Sequence, residues 1–380
     1  MKRRIEKSIH SNCLWLLAGD KRSLHNRSVK CTRLGALLAA FFLFATPAFA
    51  QDIHFSQYNL TPLLINPSQT GAYRNFEVVA NYKTQWTSIS PNAFKTMMFN
   101  YDGRLMQKKW KKKWLAAGFT VFNDKAGEGG INTTQANVSI AYHAQLSSRS
   151  TLGGGLIAGV AQRNINYSNF AWDEQYQNGT YSTSNSTGEV SPQNYQNSNK
   201  FVYADIGAGM LYQYTKGEKY ASANDMIAVH AGLALFHLNQ PAYSFYGLSE
   251  KLYSKTVAHA DILFGVKNTN LSLMPGIIYL KQGPSSEIYS GCFFRYKLQE
   301  ESKFTGFVKG TSLVVGTHLR LGDAFVPSVQ LEIAEYTIGL SYDVNISGLK
   351  TVTSGKGGFE IALRYGNLSQ FLYKSAASFQ

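Results

Sequence analysis

Cysteine is nearly absent from this 380-residue chain. Of its three cysteines, Cys13 and Cys31 lie in a basic leader, so Cys292 stands alone after residue 50. A lone cysteine excludes an intramolecular disulfide and a cysteine-cluster metal site from that part of the chain. Also missing, after Leu34–Ala45, is any apolar run near the roughly 18 residues that a transmembrane helix needs. No GxSxG elbow, HExxH pair or P-loop occurs, which removes the common hydrolase, metalloprotease and nucleotide-binding signatures. Acidic residues are few, 23 against 37 Lys and Arg. Nine of those basic residues and two of the acidic ones fall within residues 1–50, leaving 28 against 21, or +7. That surplus, without a basic helix or stacking motif, does not indicate a nucleic-acid binder.

The leader itself reads as an export signal. Lys21, Arg22, Arg27, Lys30 and Arg33 precede the apolar run Leu34–Ala45, and Ala48-Phe49-Ala50 offers a cleavage site. We therefore expect residues 1–50 to be a removed signal peptide with a long n-region, and the mature chain to begin near Gln51. Beyond the leader, period-two alternation dominates the chain. Val202, Ala204, Ile206, Ala208, Met210, Tyr212 and Tyr214 alternate with Tyr203, Asp205, Gly207, Gly209, Leu211 and Gln213. In a strand such residues face opposite ways, giving one apolar side and one side that is mostly polar or small. The pattern recurs at Phe76–Lys83, Thr134–Leu146, Tyr336–Val344 and Phe359–Tyr365. Phe94–Tyr101 is less clear, because Met97, Phe99 and Tyr101 share a face with Lys95 while Met98 occupies the other.

Strand candidates also lie near 113–122, 151–163, 226–238, 256–267, 271–281, 287–297 and 304–333. With no helix able to span, these segments predict an all-β fold, a transmembrane antiparallel β-barrel of the outer membrane with about 14 strands. The expected organisation is a periplasmic N-terminal segment at 51–74, the barrel at 75–370 and a short tail at 371–380. If the first strand runs outward, the connections near 147–150 and 268–270 are periplasmic, and the polar one at 164–200 is external, as the long loops of such barrels are. Aromatic residues, 13% of the chain, suit interfacial girdles.

Several motifs carry two readings. Lys108-Lys109-Trp110-Lys111-Lys112-Lys113 is either a docking patch for an acidic partner or anionic head groups, or a solvated turn flanked by Trp110 and Trp114. Asn123-Asp124-Lys125-Ala126-Gly127 offers oxygen ligands for calcium but has the composition of a turn. His143, His230, His237, His259 and His318 are scattered through strands and read as lumen-wall or packing residues. Pro62 and Pro67 lack a backbone donor, so 57–70 is not a central strand and is expected to cap or fill the periplasmic mouth.

Gln57-Tyr58-Asn59-Leu60-Thr61-Pro62-Leu63-Leu64-Ile65-Asn66-Pro67, followed by Gly71, resembles the opening of the PorP/SprF family. Gln85-Trp86, Asn123–Gly127, Gly339-Leu340-Ser341-Tyr342-Asp343 and Phe359-Glu360-Ile361 resemble the family's later blocks in order, over about 51–366. The resemblance implies a non-enzymatic outer-membrane component of the type IX secretion system of Bacteroidetes, linked to adhesin secretion and gliding motility. It implies as partners the secretion machinery and an exported protein's C-terminal targeting domain, and no cofactor. An outer-membrane porin or solute channel is the alternative. The residues expected to meet a partner are Leu63, Leu64, Ile65, Asn66 and Pro67, Lys111 and Lys112, and Tyr176 and Tyr181 in the long polar loop.

Overall fold

The computed structural model describes residues 52–368, apart from 88–89, 91, 106–111, 128, 167–175, 178–179, 182–198, 218–223, 246–249, 301–309 and 349. The proposed signal peptide and C-terminal tail lie outside the described residues. Alternating segments become strands because each can turn its apolar side outward and pair every backbone group with a neighbour. They are β1 (Arg74–Gln85), β2 (Phe94–Leu105), β3 (Lys113–Ala126), β4 (Ile131–Gln145) and β5 (Ser150–Asn164), then β8 (Lys200–Lys216), β9 (Ile227–Phe236) and β10 (Lys255–Gly265). There follow β11 (Leu271–Gln282), β12 (Ser285–Gln299), β13 (Thr311–Arg320), β14 (Ala324–Ile333), β15 (Tyr336–Asn345) and β16 (Lys356–Leu368). β6 (Tyr176–Gln177) and β7 (Thr180–Tyr181) form a separate small ribbon in the connection between β5 and β8.

The fourteen wall strands close into one antiparallel barrel, each beside its predecessor, with β1 sealed against β16 from Arg74↔Leu368 to Gln85↔Gly358. Closure leaves no sheet edge, which is the condition for strands in a bilayer. The expected stretch 304–333 resolves into β13 and β14, joined through Gly322 at φ 78°. Two prolines interrupt the ladders. The β10–β11 pairing lapses between Asp261↔Gly276 and Phe264↔Leu273 at Pro275, and the β14–β15 pairing between Phe325↔Val344 and Ser328↔Ser341 at Pro327. Neither proline has an N–H to give.

Side-chain alternation follows the sequence reading. Ile140, Ile206 and Leu340 point outward at 53%, 46% and 43% exposure, while Asp205, Asn137 and Ser139 are buried inside. The less clear segment 94–101 is settled too: Met97, Phe99 and Tyr101 face out, and Met98 packs inside with Phe55, Leu60, Val79 and Phe122. The connections 165–199 and 237–254 are separated by two crossings, β8 and β9, and so lie at one end, here the long-loop end. The connections 146–149, 217–226 and 266–270 lie at the other, the short-turn end.

An arginine at Ile206 would place a charge against lipid and should lower barrel stability by about 2–4 kcal/mol if the site lies near the bilayer midplane. Urea titration in lipid vesicles measures this. Replacing Ile206 by Leu is the control and should change little.

Candidate functional site

A barrel of this strand number leaves a lumen that its own wall side chains cannot fill. Here residues 52–73 fill it. The two prolines that bar this segment from the sheet shape it instead: Tyr58–Leu60 makes a 3-10 turn, Pro62–Ile65 a helical turn and Pro67–Gln69 another 3-10 turn. Each proline opens its turn, where no N–H is needed. Between them Asn66 is extended, and its side-chain oxygen accepts from Ser68 N at 3.0 Å and Ser68 Oγ at 2.6 Å. The segment was expected to cap or fill the periplasmic mouth. It runs instead through the interior, starting beside the long-loop end and joining β1 at the short-turn end.

Anchors occur along its whole length. At the long-loop end, Asp52 meets His237 Nε2 at 2.6 Å and Lys255 at 3.4 Å, and accepts from Gln282 at 3.2 Å. The other ring nitrogen of His237 contacts Asp205 of β8 at 2.8 Å. Burial opposes a charged imidazole, but the two carboxylates prevail and raise the His237 pKa to about 9. Burial likewise opposes the Asp52 carboxylate, yet Lys255 and His237 hold its pKa well below the ordinary range. His54, by contrast, is driven well below its usual value, first by burial and then by Arg320, Lys83 and Lys255, and so stays neutral.

One turn further in, Glu360 of β16 accepts the backbone N–H of Ser56 at 2.6 Å and of Gln57 at 3.1 Å. Ser56 Oγ donates to Asp343 of β15, whose carboxylate also meets Lys83 at 3.4 Å and Arg320 at 3.3 Å. Midway, the Asn66 amide donates to the carbonyls of Met210 and Leu233, and with Gln69 it lies 3.1 Å from Nε2 of His259. At the short-turn end, Gly71 N donates to Asp102 at 2.7 Å, while Arg104 and Trp114 donate to Gly71 O at 2.8 and 3.1 Å. Thr70 Oγ1 donates to Ser139, and His143 to Thr70 O. Gly71 adopts φ 58°, a left-handed conformation that suits glycine.

The wall is cut to this shape. A Cβ on Gly155 would fall 2.6 Å from Pro67 O, one on Gly209 would strike the Asn66 side chain, and one on Gly339 would strike Gln57. Inward glycines thus mark the footprint of the segment. Cavities beside it among the described residues include one of about 270 Å³ under Tyr58 and Ile65 and one of about 140 Å³ on the other side of Tyr73. Burial raises the hydroxyl pKa of both Tyr58 and Tyr73.

The residues expected to meet a partner do not form one patch. Leu63, Asn66 and Pro67 are buried within the lumen, with Leu64 and Ile65 half-buried beside them. Lys112 is exposed at the short-turn end, Lys111 lies outside the described residues, and Tyr176 is exposed where β6 pairs it with Tyr181 of β7. Of Asn123–Gly127, read as a turn, the first four residues instead end β3, paired to β4 from Asn123↔Thr134 to Ala126↔Ile131, and the turn starts only at Gly127, φ 61°; Asn123 donates to Asn132 and Thr134. No group of three or more potential ligands is placed for a metal among the described residues. The Asp52–His237–Asp205 bridge and the glycine footprint were missed in the sequence. Paired small residues on the otherwise polar faces, such as Gly207 and Gly209, were the available signal.

A family model described as "Type IX secretion system membrane protein PorP/SprF" matches residues 48–365. No curated protein matches the chain. Among solved structures, the TodX deltaS2S3 mutant monoaromatic hydrocarbon channel is 9% identical with a TM-score of 0.41, over 81% of this chain and 94% of that one. The CymD monoaromatic hydrocarbon channel is 9% identical with a TM-score of 0.40, over 83% and 94%. CdiB from Acinetobacter baumannii is 7% identical with a TM-score of 0.37 over 77% of this chain, which spans 60% of that protein.

Two outcomes follow from the anchors. Gly155→Val should unseat the segment and raise conductance in planar bilayers well above wild type, whereas Gly154→Ala, whose Cβ meets open space, should not. The His237 bridge adds a pH dependence. Because its pKa rises from 6.5 to about 9, its contribution is complete below about 6.5 and is lost as pH climbs through about 9. Open events in the same bilayers should therefore become frequent above about pH 9, and His237→Gln should show them throughout the range.

Proposed function

We propose, on the premise that this chain belongs to the PorP/SprF family of type IX secretion system membrane proteins, that it acts as a plugged, non-enzymatic receptor of the outer membrane. It binds the C-terminal domain of an exported protein, the secretion machinery, or both, and so serves surface adhesin secretion and gliding motility. The observation that carries this reading is the lumen occupied from end to end by residues 52–73 and held by Glu360, Asp343, Asp102 and His237. A filled lumen favours recognition over passage and counts against an open porin.

Recognition then falls to the ends of the barrel. In the reading proposed here the long-loop end faces outward and offers the connections 165–199, with Tyr176 and Tyr181, and 237–254. Tyr-rich polar loops supply contact area and adaptable hydrogen bonds without a reactive centre. The short-turn end faces the periplasm and offers Lys111 and Lys112 to an acidic surface of the machinery. Leu63, Leu64, Ile65, Asn66 and Pro67 take part as the core of the luminal segment, which a docked partner holds or shifts.

Deleting 182–195 should leave the barrel inserted and reduce capture of one secreted protein at least tenfold in pull-downs with matched barrel levels. In a Cys292→Ser background, Ser184→Cys should react with an impermeant thiol reagent on intact cells, and Ser148→Cys only after the outer membrane is opened. Reversed labelling overturns the orientation. Failure of wild type to capture any secreted or machinery protein, together with solute conductance, favours the channel instead.

A further inference from the structure

Among the described residues, a wall gap that opens on a cavity lies at Pro275 of β11. There the β10–β11 ladder loses two successive pairs, and behind them sits the cavity of about 270 Å³. On its luminal side the cavity is lined by Tyr58, Met274 and Phe293. It is also lined by Ile262, Pro275 and Ile277, and the two isoleucines belong to the lipid face, at 41% and 49% exposure. Gly276 stands beside the gap, where an added Cβ would strike the Tyr58 hydroxyl and come within 3.7 Å of Asp261 Cβ. The cavity therefore touches both sides of the wall where the hydrogen-bond ladder is open.

Its opposite limit is cationic. Arg295 and Arg364 both face Glu332, at 2.7 and 3.7 Å, Arg364 donates to Thr337 at 2.9 Å, and Arg74 pairs with Glu77 at 2.7 Å. Nε of Arg364 is buried with no hydrogen-bond partner, although the side chain lines the cavity. A buried donor left in this state is costly, so Arg364 gains if its side chain turns to bring Nε to an acceptor in the cavity. The two limits thus differ in chemistry, with a guanidinium that keeps one unanswered donor at one and, at the other, an opening toward lipid between Ile262 and Ile277, with Asp261 on its luminal side. Water would satisfy only the first.

We propose that this cavity binds a single acyl chain bearing an anionic head, a carboxylate or a phosphate. The head lies at Arg364 and Arg295, and the chain runs past Phe293 and Met274 to leave the wall at Pro275. A volume near the lower end of small-molecule pockets suits a head and the first part of a chain, with the remainder in the bilayer. The site rests on the barrel fold and its cavity and not on the secretion role, so its failure leaves that role untouched.

The test uses the full mature barrel in phosphatidylcholine nanodiscs, titrated with labelled dodecanoate and, separately, with lysophosphatidylglycerol. Saturable binding to one site per barrel is expected for at least one of them. Dodecanoate alone points to a free fatty acid as the source, the lysolipid alone to a membrane lipid, and both to the shared chemistry. Arg364→Gln should weaken binding about tenfold, Met274→Trp should abolish it, and uncharged dodecanol should bind wild type at least tenfold more weakly. Heat-modifiable mobility on gels reports whether each variant folds, and the dodecanol comparison decides the matter on wild type alone if Met274→Trp does not. No saturable binding of either amphiphile, equal binding of dodecanol, or undiminished binding by a folded Met274→Trp variant overturns the proposal.

Discussion

A ring of fourteen strands must close to satisfy its backbone in lipid, and in closing it encloses more space than its inward side chains fill. The rest of the molecule depends on how that space is occupied. Inward faces carry Glu360, Asp343, Asp102 and Lys83, all buried, and buried charges persist only when paired and hydrogen-bonded. Residues 52–73 supply much of that pairing. Ser56 and Gln57 offer N–H groups to Glu360, and Gly71 offers one to Asp102. Wall and filler are therefore incomplete without each other.

Apolar contacts add a second layer to this dependence. Phe55 and Leu60 pack on Val79, Met98 and Phe122, while Tyr58 and Ile65 lie against the patch around Phe236, Val257 and Ile278. Inward apolar residues in a nominally polar lumen thus have a use, and glycines such as Gly155, Gly209 and Gly339 leave the room that backbone and side chains of the segment take up. Losing one charged partner here strands another, a change that costs several kcal/mol in buried pairs.

Much of the wall was legible in the sequence because lipid enforces a strict alternation. Ile140, Ile206 and Leu340 were placed by period alone, and Pro62 with Pro67 told that 57–70 stands outside the sheet. Phe94–Tyr101 resisted because its inward Met98 is apolar, a consequence of the filler that alternation cannot register. The resemblance motifs at 57–67, 339–343 and 359–361 were read as separate blocks. In the structure they converge, since Ser56 and Gln57 meet Asp343 and Glu360. Contacts across some 300 residues have no local signature. The His237 bridge escaped for the same reason, its partners Asp52 and Asp205 lying 185 and 32 residues away.

The seal between β1 and β16 bears on how the molecule is assembled. Its filler is anchored to strands at both ends of the ring, and enclosing it as the ring shuts avoids drawing a polar segment through a finished lumen. Its acceptors Asp343 and Glu360 stand on the last two strands of the chain, so the earliest described residues wait for the latest before their polar groups are answered. Loop closure over such a span is slow. A ring that shuts empty admits water, which hydrates Glu360, Asp343 and Asp102 but forgoes the contacts of Phe55 and Leu60 with Val79, Met98 and Phe122, so a hollow barrel is the less stable product.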